Sequence, residues 1–395
     1  MNAWGRLQAV AVSSSVGQGL LMTALPLLAA SLTTDPRTVS LVKAVGQSPW
    51  LLLSLFVGVL IDRVRRTYVL AFAWIVLAGA ALVLAVSGLS ISLLLVVAFL
   101  VSTSQVLGES ATGALIPSVV EPARLPGANA RLLVIDQGLV HFVVPPATGF
   151  VLAFGAGAPA WIALLAAVAA FLLTRGVPSP PAVPSDRHPL RDMTEGLRYL
   201  VRTRLLRSIT FMVAVGSFAT SATTAVLVLY AKEILHLGNF GYGVLLACMA
   251  AGWVVMSFFV DRIVTRFGYA WSMRVAQASG ILHAWLLAAV PPWPWLVGLV
   301  LFSVTSTTLV WNVCSQSSRQ RFTPAPLLGR VLTGHKMLAW GPIPLGALAG
   351  GFVAAEFGLR SVWVMQGVLF AVGLALVWRI LSPASFREAE LAAAS

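Results

Sequence analysis

Apolar residues run through this chain in blocks of span length, each broken by a short polar or Gly/Pro stretch and showing little alternation within the block. A hydrocarbon core of ~30 Å takes roughly 20 residues of helix to cross. Twelve blocks suit that length: 7–31, 39–61, 67–87, 89–113, 133–155, 158–174, 208–231, 241–261, 270–290, 293–313, 331–355 and 360–381. Because they are apolar on every face, they predict membrane-spanning helices and not the alternating strands of a barrel. The first block runs through Pro26 into a polar loop at Thr33 to Arg37, with no small-residue cleavage site, and is expected to stay in the chain as a span.

The longest polar stretch, Arg175 to Arg207, carries Pro178, Pro180, Pro181, Pro184 and Pro189, followed by an Arg-rich helical run from Leu190 to Arg207. It divides the chain into an expected six-helix half at 1–177, a cytoplasmic linker with an amphipathic helix at 178–207, and a second six-helix half with a short tail at 208–395. The halves echo one another. Asp62-Arg63 recurs as Asp261-Arg262, 199 residues later. Glu121 to Gly127 resembles Thr323 to Gly329, and Gly149-Phe150-Val151 resembles Gly351-Phe352-Val353, both at an offset of 202. Parallel repeats of this size mark transporters whose substrate binds between two related halves near mid-bilayer.

Composition agrees with lipid as the solvent: 58% hydrophobic residues, 10% charged residues and a mean hydropathy of +0.90 leave too little polar surface for a water-soluble fold. The net charge of +13 raises nucleic acid as a partner, and the placement of the cations argues against it. With the amino terminus in the cytoplasm, all but four of the 26 Lys and Arg residues fall on the cytoplasmic side, leaving Arg37, Lys43, Lys232 and Arg360 opposite. That asymmetry puts both termini in the cytoplasm and makes anionic headgroups the expected partner of the basic excess. Cys248 and Cys314 have no metal-ligand spacing, and neither metal nor cofactor is expected.

At Gly58-Val59-Leu60-Ile61-Asp62-Arg63-Val64-Arg65-Arg66 the chain resembles the major facilitator superfamily, whose loop motif between spans two and three reads G-x-L-x-D-R-x-G-R; Arg65 replaces the second glycine. Ser257 to Arg262 is a weaker second copy. Gln320, Pro324, Gly329 and Arg330 fit a segment before span eleven, and Ala114 to Pro117 fits an A-L-I-P segment; these two are similar to the macrolide-efflux and enterobactin-exporter branch of drug:proton antiporters. The resemblance implies an all-α integral membrane protein of twelve transmembrane helices in two pseudo-symmetric bundles. It also implies a gating latch at Gly58, Asp62, Arg63, Arg66, Asp261 and Arg262, in which carboxylate and arginine hold the inner gate shut. Plain topology signalling by the arginines is the alternative.

Ionisable side chains within spans are costly and rare, which makes them functional candidates. Glu109 in span four, and Asp136 and His141 in span five, are candidates for proton coupling, with His141 expected on a face adjoining that of Asp136. His283 in span nine reads more readily as an interior side chain. Span five also resembles the antiporter motif, although only Pro146 and Gly149 survive, and the Pro145-Pro146 pair is expected to loosen the helix. In this fold spans one, four, seven and ten would line the substrate cavity, supplying Gln18, Thr23, Gln105, Ser217, Ser221, Thr224, Thr308, Trp311 and Asn312. These hydroxyls and amides suit a bulky amphipathic compound better than a phosphate, although Ser and Thr also serve simply to let helices approach.

With no phosphate-binding loop there is no ATP engine, and no convergent nucleophile, base and oxyanion donors suggest an enzyme. The expectation is a monomeric exporter of an antibiotic, drug or siderophore in a bacterial inner membrane, exchanging it for protons. An importer or uniporter of a metabolite, or a transport-silent receptor or assembly factor, are the alternatives.

Overall fold

The computed structural model describes residues 2–121, 124–179, 189–324 and 327–394. Pro122, Ala123, the linker residues Pro180, Pro181, Pro184 and Arg187, and Ala325 and Pro326 lie outside these. All twelve expected spans fall on helix, and no strand occurs among the described residues.

The first four spans are single helices: α1 (Ala3–Leu32), α2 (Pro36–Arg63), α3 (Arg66–Val86) and α4 (Ile91–Val119). Span five is built in pieces, α5 (Leu125–Asp136), a π-helical turn at Gln137–Val143 and α6 (Val144–Val151). α7 (Ala158–Thr174) closes the first half, and the amphipathic helix expected in the linker is α8 (Pro189–Arg202). α9 (Arg204–Leu229) and α10 (Asn239–Ser257) follow, and α11 (Val260–Ala289) is interrupted at Gly268, whose φ of 73° breaks the helical path. α12 (Pro294–Arg321) precedes a span that is broken at Gly341-Pro342 into α13 (Leu328–Trp340) and α14 (Pro342–Phe357). α15 (Ser361–Val377) and the short tail helix α16 (Pro383–Ala394) end the chain. Among the described residues eight runs are long and apolar enough to cross a membrane, with α7 and α15 shorter apolar helices of 17 residues each.

Two compact units emerge: Met1–Asp186 with Ala231–Ala247, and Arg187–Tyr230 with Cys248–Ser395. In the first, α1 packs on α7, α4 and the pieces of span five, α2 packs on α4, and α3 packs on both α4 and α7. In the second, α9 packs on α14 and α15, α11 on α12 and α15, and α8 on α13. Lipid tails are as apolar as the side chains, so close packing rather than expulsion from water must hold these helices together. Alanine and glycine do much of this. Ala163, Ala167 and Ala170 of α7 are fully buried, and a methyl on Gly108 would meet the Trp74 indole at 2.7 Å.

α8 is docked by the same device. Gly196 is buried so closely against the backbone of Arg330 that a Cβ there would overlap its carbonyl, and the Glu195 carboxylate pairs with the Arg330 guanidinium. The amphipathic linker helix thus lies on the first turns of α13.

Asp35 starts α2. Its carboxylate accepts from the Arg37 and Thr38 N–H groups at 3.1 Å each and from the Thr38 hydroxyl at 2.6 Å, and that hydroxyl above all holds its pKa below the ordinary carboxylate value. Because the folded-state pKa is depressed, the stabilisation is complete above the ordinary carboxylate pKa and fades as pH falls through the folded value. Asp35→Ala is therefore expected to cost about 1 kcal/mol at neutral pH. In thermal melts the gap from wild type should close as the solution is acidified.

Candidate transport site

Span five carries the densest chemistry of the first unit. The Ser15 hydroxyl of α1 donates to Asp136 at 3.3 Å, where α5 passes into the π turn. Sequence spacing sets His141 on a face adjoining that of Asp136, and a π turn lies between the two. Winding with i→i+5 bonds turns less per residue than an α-helix and draws residues five apart closer in angle. The cause lies just downstream. Pro145 and Pro146 have no N–H to donate to the carbonyls near Val140 to Phe142, so the helix rewinds before starting afresh at Val144.

α6 then meets α10 backbone to backbone within this unit. A Cβ on Gly149 would overlap the Asn239 carbonyl, and one on Gly243 would overlap that of Pro145. Gly149, a survivor of the antiporter pattern, is thus needed for packing.

On α4, Gln105 donates its amide to Glu109 at 3.0 Å, with Glu109 itself exposed. Gln18 is buried on α1 between Gly17, which abuts the Ala163 carbonyl of α7, and Gly19, which abuts Val140 and Val144 of span five; Thr23 is also buried. Lys43, assigned from sequence to the outer side, lies inside α2.

Of the latch residues, Gly58 and Asp62 lie in the last turns of α2, with side chains outside the described part. Arg63 is exposed. Arg66, opening α3, donates to the Ala114 carbonyl at 2.8 Å, which joins the loop motif to the A-L-I-P segment at the end of α4. Asp261 and Arg262 fall in the first turn of α11, both exposed and without a side-chain partner among the described residues.

In the second unit, Thr224 and Thr308 return their hydroxyls to the carbonyls of Thr220 and Val304 at 2.8 Å each. Ser221 is buried with no partner for its hydroxyl among the described residues, while Ser217 and Asn312 are partly exposed. Trp311 is 5% exposed and packs in a core with Leu206, Ile209 and Met273. Thr305 and Ser306 donate across to α10, to the Met249 and Gly252 carbonyls at 2.6 and 3.1 Å, and so lock helices together. His283 is buried on α11 and shares a hydrogen bond of 2.9 Å with Ser303.

Sequence reasoning missed three buried basic groups here. Arg274 lies between the Trp271 and Trp378 rings and donates to the Trp378 carbonyl at 2.6 Å. Arg319, inside α12, donates to Ser315 at 2.5 Å, and His335 of α13 meets Thr210 at 2.9 Å. Arg274 and His335 fall within the apolar blocks 270–290 and 331–355, a position that is their signal in the sequence; Arg319 lies six residues past the block 293–313, where hydropathy draws a loop and the helix in fact continues to Arg321.

Long apolar helices with charged and amide side chains held inside them define a polytopic membrane protein. Residues 9–339 match the Major Facilitator Superfamily, and the chain belongs to it. It is 27% identical to the enterobactin exporter EntS of Citrobacter koseri, over 95% of this chain and 91% of that one. It is 24% identical to the multidrug efflux pump Tap of Mycolicibacterium fortuitum, over 90% of each chain. Among solved structures, the nucleoside transporter NupG shares the fold with a TM-score of 0.72 at 14% identity, covering 95% of this chain and 99% of that one. A bacterial homologue of ferroportin in an inward-facing state does so with a TM-score of 0.68 at 16% identity, covering 94% and 98%.

Proposed function

We propose that this transporter exports a bulky amphipathic organic compound, of the antibiotic, drug or siderophore kind, from a bacterial cytoplasm in exchange for protons. The observation that carries the reading is Asp136: a carboxylate inside span five, bonded to Ser15 of span one and placed at the start of the π turn that also carries His141. A carboxyl in this setting can hold a proton in one state of the transport cycle and release it in another. Glu109, with Gln105 as its donor, is the second proton site. The names of the exporter and efflux relatives support the outward direction. The protein acts as a monomer in the inner membrane with both termini cytoplasmic. The halves at 1–177 and 208–395 rock about a cavity lined by Gln18, Thr23, Gln105, Ser217, Ser221, Thr224, Thr308 and Asn312, with Asp62 and its arginines latching the inner gate.

In a pump-deficient bacterial host, the wild type is expected to lower accumulation of at least one compound in a panel of radiolabelled macrolides and catecholate siderophores. Asp136→Asn and Glu109→Gln should each lose about ten-fold or more of that activity at unchanged expression. Raised accumulation with the wild type would establish import instead.

A further inference from the structure

Lys43 has no role in the scheme above, yet it is the one lysine placed well inside a span of the first unit. It lies seven residues past Pro36, about 10 Å along the helix at 1.5 Å per residue. An ammonium at that depth most simply extends back to the headgroups along a lipid-facing surface. The periodicity of α2 contradicts that. At about 100° per residue, Lys43, Gln47 and Trp50 fall within about 60° of one another, and Leu41 and Leu52 fall about 160–180° away from Lys43. Leu41 and Leu52 are the exposed ones, at 37% and 54%, whereas Val39 and Ser40, which flank the lysine on its own side, are buried at 1% and 0%.

The lysine therefore points inward, on the side of α2 that meets protein. Both α2 and the π turn of span five, which carries His141, pack against α1. Lys43 and Gln47 are partly exposed and His141 is exposed. Among the described residues the Lys43 ammonium makes no ion pair and no hydrogen bond. A cation held inside a membrane protein without a counter-ion is costly, and it is relieved whenever an anion arrives.

We propose that Lys43, assisted by Gln47 and His141, is the recognition site for an acidic group on the transported compound, so that the cargo is an amphipathic organic acid such as a carboxylate or an ionised phenol. This rests on the export reading above and narrows the cargo from an uncharged or weakly charged compound to an anionic one. Gln47 supplies an amide donor one turn along the same face and Trp50 an aromatic surface beyond it, an order that suits an acid attached to a ring system.

The test uses the full chain in energised everted membrane vesicles with two fluorescent probes sharing one ring system, pyrenebutyrate and its N-methyl amide. Wild-type vesicles are expected to take up the acid with a KM about ten-fold below that of the amide. Lys43→Met should bring the two KM values to within about two-fold, and Lys43→Arg should restore the preference. A wild type that takes up the amide as well as the acid, or the amide alone, overturns the inference while export stands, and needs no variant to be read. The inference is likewise overturned if Lys43→Met keeps the ten-fold preference. Uptake of neither probe overturns the inference and counts against export of amphipathic compounds as well.

Discussion

Gly243→Val and Gly149→Val are each expected to abolish transport and to lower thermal stability by several degrees. At both positions the space a side chain would need is filled by backbone, the Pro145 carbonyl and Pro146 Cα against Gly243 and the Asn239 carbonyl and Phe240 Cα against Gly149. Flexible side chains can swing away from an added methyl, but a helix backbone can yield only by moving the whole segment. Overpacking costs about 1–3 kcal/mol even where side chains absorb it, so a valine here should reach or pass the upper end of that range. The displaced segment also contains the π turn that positions Asp136 and His141, which is why function should fail with stability. Alanine should give an intermediate loss. Melting curves in lipid nanodiscs together with uptake in vesicles check this; a Gly149→Val protein with the wild-type melting temperature would show that α6 and α10 are not in backbone contact.

The second large effect is expected in the other unit. Trp363 of α15 is 2% exposed, and its indole lies 4.6 Å, centroid to centroid, from the ring of the fully buried Tyr230. In a water-soluble protein, Trp→Ala in such a place costs about 3–5 kcal/mol. In a bilayer the transfer part of that cost shrinks, because lipid tails solvate an indole well in the unassembled state, while the lost contacts remain. Trp363→Ala is therefore expected to cost about 2–3 kcal/mol, and Trp363→Phe, which keeps the ring contact with Tyr230, less than half of that. Equal losses for the two would mean that the Tyr230 contact contributes little.

The spans were legible in the sequence because the bilayer imposes a length and forbids unpaired backbone, and both demands show as long apolar blocks. α8 was legible for a related reason: the proline-rich stretch ended in an Arg-rich amphipathic run. Span five was only half legible. Pro145-Pro146 announced a loosened helix, but whether the missing donors produce a kink, a hinge or a π turn depends on which carbonyls the neighbouring segments satisfy, and that is tertiary information. The π turn that carries His141 was correspondingly missed.

Lys43 was legible as a charge within a span, but hydropathy is blind to the face it takes; the burial of Val39 and Ser40 against the exposure of Leu41 and Leu52 supplies that. Arg274 was hidden for yet another reason: Trp271, three residues before it, reads as an interface anchor, and Trp378, whose ring and carbonyl also receive it, comes from a distant place in the sequence. Trp311, expected in the cavity from its place in span ten, packs in the core of its unit. A span's identity therefore tells which helices can line a cavity and does not tell which face of each helix does so.

The central claim, export driven by inward proton flow, is tested most directly by substrate-induced proton movement. Everted vesicles carrying the protein are acidified by respiration, the internal pH is followed with acridine orange, and a compound identified as a substrate by the accumulation panel is added. The account predicts an immediate dequenching as protons leave the vesicle lumen, absent in vesicles without the protein and strongly reduced with Asp136→Asn. Substrate uptake into the vesicles with no dequenching, and with no dependence on the proton gradient, would contradict it.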